Sequence, residues 1–259
     1  MENPQQFLDV ALEAVKKAEP VFRKSFGHAS GVEEKIDQGK YRSPVTDVDK
    51  EIETIITSHL HSNFPEHSIS GEEFPATQNA SEYTWFIDPI DGTINYIRGL
   101  PFCSISVGLW KGETAVASVV ADPMAGAVFT ALKSAGSYKN GTQKLRVSTV
   151  GALGESMGNV GRTRVRPDDP ALERVARKVY RGREFGGAAL ELCAMAEGKL
   201  DFYISERTKI FDNAAGMLIV TEAGGRVTDW NGGPYVADSK NIVASNSHIH
   251  AELLRELKG

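Results

Sequence analysis

Apolar residues recur three and four positions apart from Phe7 through Val10, Ala11, Val15 and Ala18 to about Phe26, which predicts a core-facing helix closed by Gly27 and Gly31. The next stretch, 32–44, carries Lys35, Lys40 and Arg42 and reads as a charged loop able to close over a site. A second helix starts near Asp47 and lines up Ile52, Ile55, Ile56 and Leu60 on one face. After Cys103 the period becomes alternating. Segments 104–109, 114–121, 127–132 and 145–147 read as strands, divided by the turn signals Lys111-Gly112, Asp122-Pro123 and Asn140-Gly141, and form an antiparallel meander. Beyond residue 148 the chain alternates: a strand at 156–160, helices at 170–179 and 188–196, a strand at 201–204, a helix from Asp212, a strand at 241–244 and a helix at 248–257. This mixture predicts an α+β fold whose sheets are covered by helices, with an N-terminal subdomain over 1–147 and a C-terminal α/β subdomain over 148–259.

A chain of 259 residues with 41% hydrophobic content can bury a sizeable core, which excludes a disordered protein. Its net charge of −5 argues against nucleic-acid coating as the main task. Cys103 and Cys193 lie in apolar segments and read as buried free thiols in a reducing compartment. The start of the chain lacks the basic-then-apolar pattern of a secretion signal, and no run reaches the roughly 20 apolar residues that span a bilayer. A cytoplasmic, membrane-free protein is expected.

The chemistry concentrates in acidic residues. Trp85-Phe-Ile-Asp88-Pro-Ile-Asp91-Gly92-Thr93-Ile-Asn95 sets two carboxylates three residues apart before a glycine and a hydroxyl. Pro89 is expected to break the strand ladder, leaving Asp88 at a strand end and Asp91 on the following turn. Gly92 allows close backbone approach, and a short helix from Thr93 offers N–H groups to an anion. Three more acidic settings accompany it: Gly71-Glu72-Glu73 after a short strand, Thr46-Asp47-Val-Asp49 at the opening of the second helix, and Phe211-Asp212-Asn-Ala-Ala-Gly216 at a later helix start. Each alone suits a surface acid or a helix cap. Together they are an oxygen donor set for a hard divalent cation. His28, His59, His61, His67, His248 and His250 show no zinc-type spacing and read as surface or helix-end residues, so Mg²⁺ or Mn²⁺ is expected rather than zinc. Two cations sharing an aspartate would support in-line displacement by water without a nucleophilic side chain.

These motifs, in this order and with Glu222-Ala-Gly-Gly225 downstream, resemble the inositol monophosphatase family of magnesium-dependent, lithium-sensitive phosphatases over nearly the whole chain. The resemblance implies a layered αβαβα sandwich and a homodimer. It also implies that Glu72, Asp88 and the Ile90 carbonyl hold one Mg²⁺, that Asp88, Asp91 and Asp212 hold a second, and that Glu72 helps hold a third, weaker cation. Thr93 and Asp49 would orient and deprotonate the attacking water, with Thr46 in support. The backbone of Gly92 and Thr93 would cradle the phosphate, and Gly187, Ala188, Ser205, Glu206 and Arg207 would face the substrate.

The substrate itself is less defined. Inositol-preferring members carry a glutamate seven residues before the metal aspartate, where this chain has Ser205, with Glu206 one position off. The segment from Arg207 to Gly216 is similar to the branch acting on 3′-phosphoadenosine 5′-phosphate, and Arg207 or Lys209 would then receive a second phosphate. Fructose 1,6-bisphosphate, histidinol phosphate and NADP are further candidates. Between Gly161 and Gly187, seven arginines and Lys178 face four acids, a basic segment over 162–183 that reads as a solvated face, a collar for anionic substrate, or a surface for RNA or an acidic protein. The last would make the protein a binding module, although few aromatics interleave the charges.

Overall fold

Two long helices open the chain because their apolar stripes need a common sheet to cover. The structure, a computed structural model, describes residues 3–37, 41–161 and 170–259. Helix α1 (Pro4–Ser25) is capped by Asn3, whose side chain accepts the Gln5 amide. The hairpin β1 (Glu33–Asp37) and β2 (Tyr41–Val45) follows, then helix α2 (Asp47–Asn63). The 32–44 stretch, expected as a loop, is thus an antiparallel pair; Lys40 lies outside the described residues.

The main sheet takes β3 (Ser68–Gly71), β4 (Tyr83–Asp91), β5 (Ser104–Lys111), β6 (Thr114–Asp122), β7 (Ala127–Leu132), β8 (Gly136–Lys139) and β9 (Gln143–Lys144), in that order, with the short helix α3 (Thr93–Ile97) between β4 and β5. The meander is antiparallel from β4 onward, while β3 pairs parallel to β4. The expected strand at 145–147 is absent. Asn140-Gly141 instead turns β8 back onto β9, and Leu145 follows as a buried, irregular residue.

The second sheet gathers β10 (Met157–Asn159), β11 (Arg181–Gly182), β12 (Phe202–Ser205), β13 (Arg226–Thr228) and β14 (Ile242–Ser245) in the order β11-β10-β12-β14-β13, parallel on one side and antiparallel on the other. Helices α4 (Pro170–Lys178), α5 (Ala188–Ala196), α6 (Ile210–Asn213), α7 (Gly216–Glu222) and α8 (His250–Lys258) complete the chain. The helix expected from Asp212 begins earlier and is broken in two, since Ala214 and Ala215 fall between α6 and α7.

Alternation along the strands sorts three cores into five layers. Ile105, Val107 and Leu109 of β5 pack with Phe22, Ile52 and Ile56 under α1 and α2. Trp110, Val120 and Phe129 face the opposite way and share a core with Leu192, Ile219 and the inner face of the small sheet. Phe202, Ile204 and Val243 point outward from that sheet onto Leu172 and Leu253 of α4 and α8. The result is the αβαβα order. Truncating a fully buried side chain such as Phe22 or Trp85 to alanine would cost about 3–5 kcal/mol.

Of the histidines expected at the surface or at helix ends, two are buried, His67 outside any helix and His250 at the first position of α8. His67 stacks between Phe64 and Tyr83 and accepts the Trp85 indole N–H at 3.1 Å. His250 sits between Thr228 and Ser245, and burial pushes its pKa down to about 4, so it is neutral in the core. Much of the basic segment is internally engaged: Arg174 donates to the Glu256 and Leu257 carbonyls at the end of α8, Arg177 pairs with Glu173, and Lys178 with Glu256. Arg162, Arg164 and Arg166 lie outside the described residues.

Candidate active site

Strand β4 carries Asp88 and Asp91 into the interior. It does not stop at Pro89: pairing with β5 continues to Asp91, with a register shift between Asp88 and Asp91 that absorbs the proline. The shift is what lets both acids leave the strand toward the same side. Asp88 turns one oxygen back to the Ile90 amide at 3.1 Å, and Thr93 donates its hydroxyl to the Ile90 carbonyl at 3.0 Å. Gly92 precedes α3 at φ 83°, and a Cβ there would come within 2.9 Å of the Phe102 carbonyl, so the turn requires glycine.

Glu72, just past β3, and Asp212, in α6, converge on Asp88; ligand oxygens of the three lie within 4.8 Å of one another. Three residues that sequence separates by up to 140 positions thereby face one point, with Asp91 beside them. Burial first, and then the charges of Glu72, Asp91, Asp212 and Asp49, raise the Asp88 carboxyl well above its ordinary range. Asp91 is pushed up to about 7, by burial and then by Asp212. Such mutual repulsion in the interior needs positive charge to offset it. An all-oxygen, mostly buried set of carboxylates with a backbone carbonyl close by fits a hard divalent cation.

Asp91 also joins the two halves of the molecule. Its oxygens accept the Ala188 and Ala189 amides at 3.0 and 2.9 Å, as an N-terminal anion for α5, and the Ser104 hydroxyl at 3.3 Å. Ala188, expected to face the substrate, donates its amide to this carboxylate. Buried Gly187 lies against it, where a Cβ would be 3.2 Å from Asp91 Oδ2.

Asp49 opens α2 in a capping box with Thr46, accepting the Thr46 amide at 2.8 Å and its hydroxyl at 2.5 Å. Burial is the main reason its carboxyl is pushed up to about 7, with the charges of Glu73 and Glu72 adding to it. Asp47 is exposed at the helix start, as a dipole partner. Lys35 on β1 reaches across to pair with Glu73, which ties the hairpin to the site rim.

Lys209, one of two cations assigned to a second phosphate, instead donates to Glu72 Oε1 at 2.9 Å. The other, Arg207, lines a cavity of about 60 Å³ with Asn159, Glu184, Gly187, Ser205 and Asp212. Ser205 turns its hydroxyl to the Arg207 carbonyl at 2.8 Å, and Glu206 does not line the cavity. The wall is braced by Glu191, which accepts the Phe185 and Gly186 amides and the Asn159 side chain. Burial above all raises Glu191 to about 7. Glu191 and Ser104 are not legible as site residues in the sequence; Glu191 leaves a signal, as an acid in an otherwise apolar helix.

A five-layered fold that converges carboxylates on a capped helix and a glycine turn defines a phosphomonoester hydrolase. The chain belongs to the inositol monophosphatase family, whose profile matches residues 3–259. It is 36% identical to inositol monophosphatase 2 of Solanum lycopersicum, over 98% of each chain. A fructose-1,6-bisphosphatase/inositol-1-monophosphatase of Thermotoga maritima is 34% identical over 96% of this chain and 94% of its own. The extragenic suppressor protein suhB from Bartonella henselae, a solved structure, superposes with a TM-score of 0.89 at 32% identity, covering 98% of both chains.

Proposed function

We propose that this phosphatase hydrolyses a small, inositol monophosphate-like phosphomonoester with Mg²⁺, Mn²⁺ being able to substitute. The observation that carries the reading is the meeting of Glu72, Asp88 and Asp212 within 4.8 Å, beside Asp91 and with Asp49 close enough to act on their charge. Glu72, Asp88 and the Ile90 carbonyl would hold one cation, Asp88, Asp91 and Asp212 a second, and Glu72 would contribute to a weaker third. Bound there, the cations supply an activated water and offset charge on the phosphoryl and leaving oxygens. The protein does the rest. Asp49, with its carboxyl near 7, takes the proton that leaves the attacking water through the Thr93 hydroxyl, which exchanges the Ile90 carbonyl for that role. The amides of Gly92 and Thr93 receive phosphate oxygens at the start of α3.

Arg207 on the cavity wall, with Ser205 where inositol-preferring members have glutamate, favours a second reading in which the leaving group carries its own phosphate. A Mg²⁺-dependent turnover panel of inositol 1-phosphate, fructose 1,6-bisphosphate, 3′-phosphoadenosine 5′-phosphate, histidinol phosphate and NADP decides between them. Phosphate release from none of the five would remove the enzymatic reading and leave the binding module. The family relation also supports a cytoplasmic homodimer; among the described residues no helix is long and apolar enough to cross a membrane.

A further inference from the structure

Helix α2 reaches the cation-binding loop at a second point, one turn beyond Asp49. Glu53 lies four residues further along, with a side chain only 1% exposed. Both of its oxygens accept amides of the loop: Oε2 from Glu73 at 2.8 Å and Oε1 from Phe74 at 3.0 Å. The Glu72 amide itself donates to the Ile87 carbonyl of β4 at 3.1 Å. The peptide planes on both sides of the Glu72 Cα are therefore pinned, one to the strand that carries Asp88 and the other to the helix that carries Asp49. Gly71 makes this fit possible, since a Cβ there would stand 1.9 Å from Glu53 Oε1. Burial alone would disfavour the charge, and the two amides work against that, holding the carboxyl at about 7.

We propose that Glu53 is a positioning residue that holds Glu72 in register with Asp49 and Asp88, so that loss of one of its two acceptor oxygens weakens cation binding without removing a ligand. The inference rests on Glu72 as a cation ligand. A carboxylate that fixes a ligand's backbone acts as outer-shell partners of metal sites do, by restricting the ligand to its productive geometry.

Glu53→Gln tests it, because the amide keeps the volume but presents an NH₂ group to one of the two N–H donors. Mg²⁺ is titrated calorimetrically into the full metal-free chain without substrate, amide exchange is followed at 73 and 74, and turnover is measured at saturating Mg²⁺ on the best substrate of the panel. The expected result is a Mg²⁺ dissociation constant raised about tenfold to hundredfold, faster exchange at those amides, and a saturated kcat within about threefold of wild type. Glu53→Asp, which keeps the charge but is one methylene shorter, should fall between the two. An unchanged dissociation constant overturns the proposal, and so does a fall in saturated kcat alone. A Glu53→Gln chain that does not fold overturns it too, since Glu53 would then determine the fold and not the register. Glu72→Gln run in parallel separates the failures: if it leaves Mg²⁺ binding intact, the ligand assignment is wrong, whereas a weakened Glu72→Gln beside an unaffected Glu53→Gln removes only the role of Glu53.

Discussion

Replacing Lys209 by methionine should tighten Mg²⁺ binding, because the ammonium group stands where it competes with an incoming cation. Its Nζ lies 2.9 Å from Glu72 Oε1, and the two side chains are 33% and 17% exposed. At that separation an effective dielectric constant near 20 gives about 6 kcal/mol of attraction. Partial exposure, desolvation of both ions and the roughly 2 kcal/mol of lysine rotamer freedom cancel most of it, which leaves about 1–2 kcal/mol. A cation that binds Glu72 must break this pair, so its removal should lower the Mg²⁺ dissociation constant by about 5- to 30-fold. Methionine preserves the apolar stem. The metal-free protein should meanwhile melt a few degrees lower, at about 2–4 °C per kcal/mol for a chain of this size, since the acidic cluster loses its resident counter-charge. Calorimetric titration of the metal-free chain and a thermal melt read both effects. In a Glu72→Gln background most of the tightening should vanish, as a pairwise interaction requires. Unchanged or weaker Mg²⁺ binding in Lys209→Met would refute the reasoning.

Asp88→Asn should lower turnover by about 10³-fold, the scale of losing a principal electrostatic contributor, yet raise the melting temperature of the metal-free protein by relieving its repulsion with Glu72, Asp91 and Asp212; a lower melting point would contradict the repulsion. Metal-free stability should fall as pH rises from about 4 to about 7. Asp49, Asp91 and Glu191 have folded-state values raised to about 7 from 3.8 or 4.5, so in that window the folded chain keeps protons that the unfolded chain has released. Urea unfolding across pH measures the loss, on the order of 3–4 kcal/mol for each of these acids, and saturating Mg²⁺ should reduce it; a flat or rising profile would count against the buried acids. Arg207→Ala should cut kcat/KM on the bisphosphates of the panel about tenfold while sparing inositol 1-phosphate, and an equal loss on both would show that Arg207 does not read the leaving group.

The cation end of the site is legible in sequence because each acid stands at punctuation that local rules can read. Asp49 follows a threonine cap, Glu72 follows Gly71 at a strand end, and Asp212 lies in the first turn of α6. Pro89 does not end the ladder, yet a bulge delivers Asp88 and Asp91 to the same side just as a strand end would. Interactions that span the fold carry no such mark. Glu53 reads as one more acid on an amphipathic helix, and only its four-residue spacing from Asp49 hints at its part, while Lys209 meets Glu72 across 137 positions. The hairpin of β1 and β2 leaves no strand signal because charged residues hide its alternation, and β11 and β13 leave none because two or three residues hold no period. The substrate end is built almost wholly from such long-range links. Asn95 ties the Phe102 and Phe185 carbonyls together, Glu191 ties Asn159 to the 185–186 turn, and Asp91 caps α5. Residues placed in this way can change identity singly, as at Ser205, without disturbing the acids that carry the chemistry. The same fold can therefore keep its hydrolytic centre legible while its choice of substrate is set by side chains that no local pattern constrains.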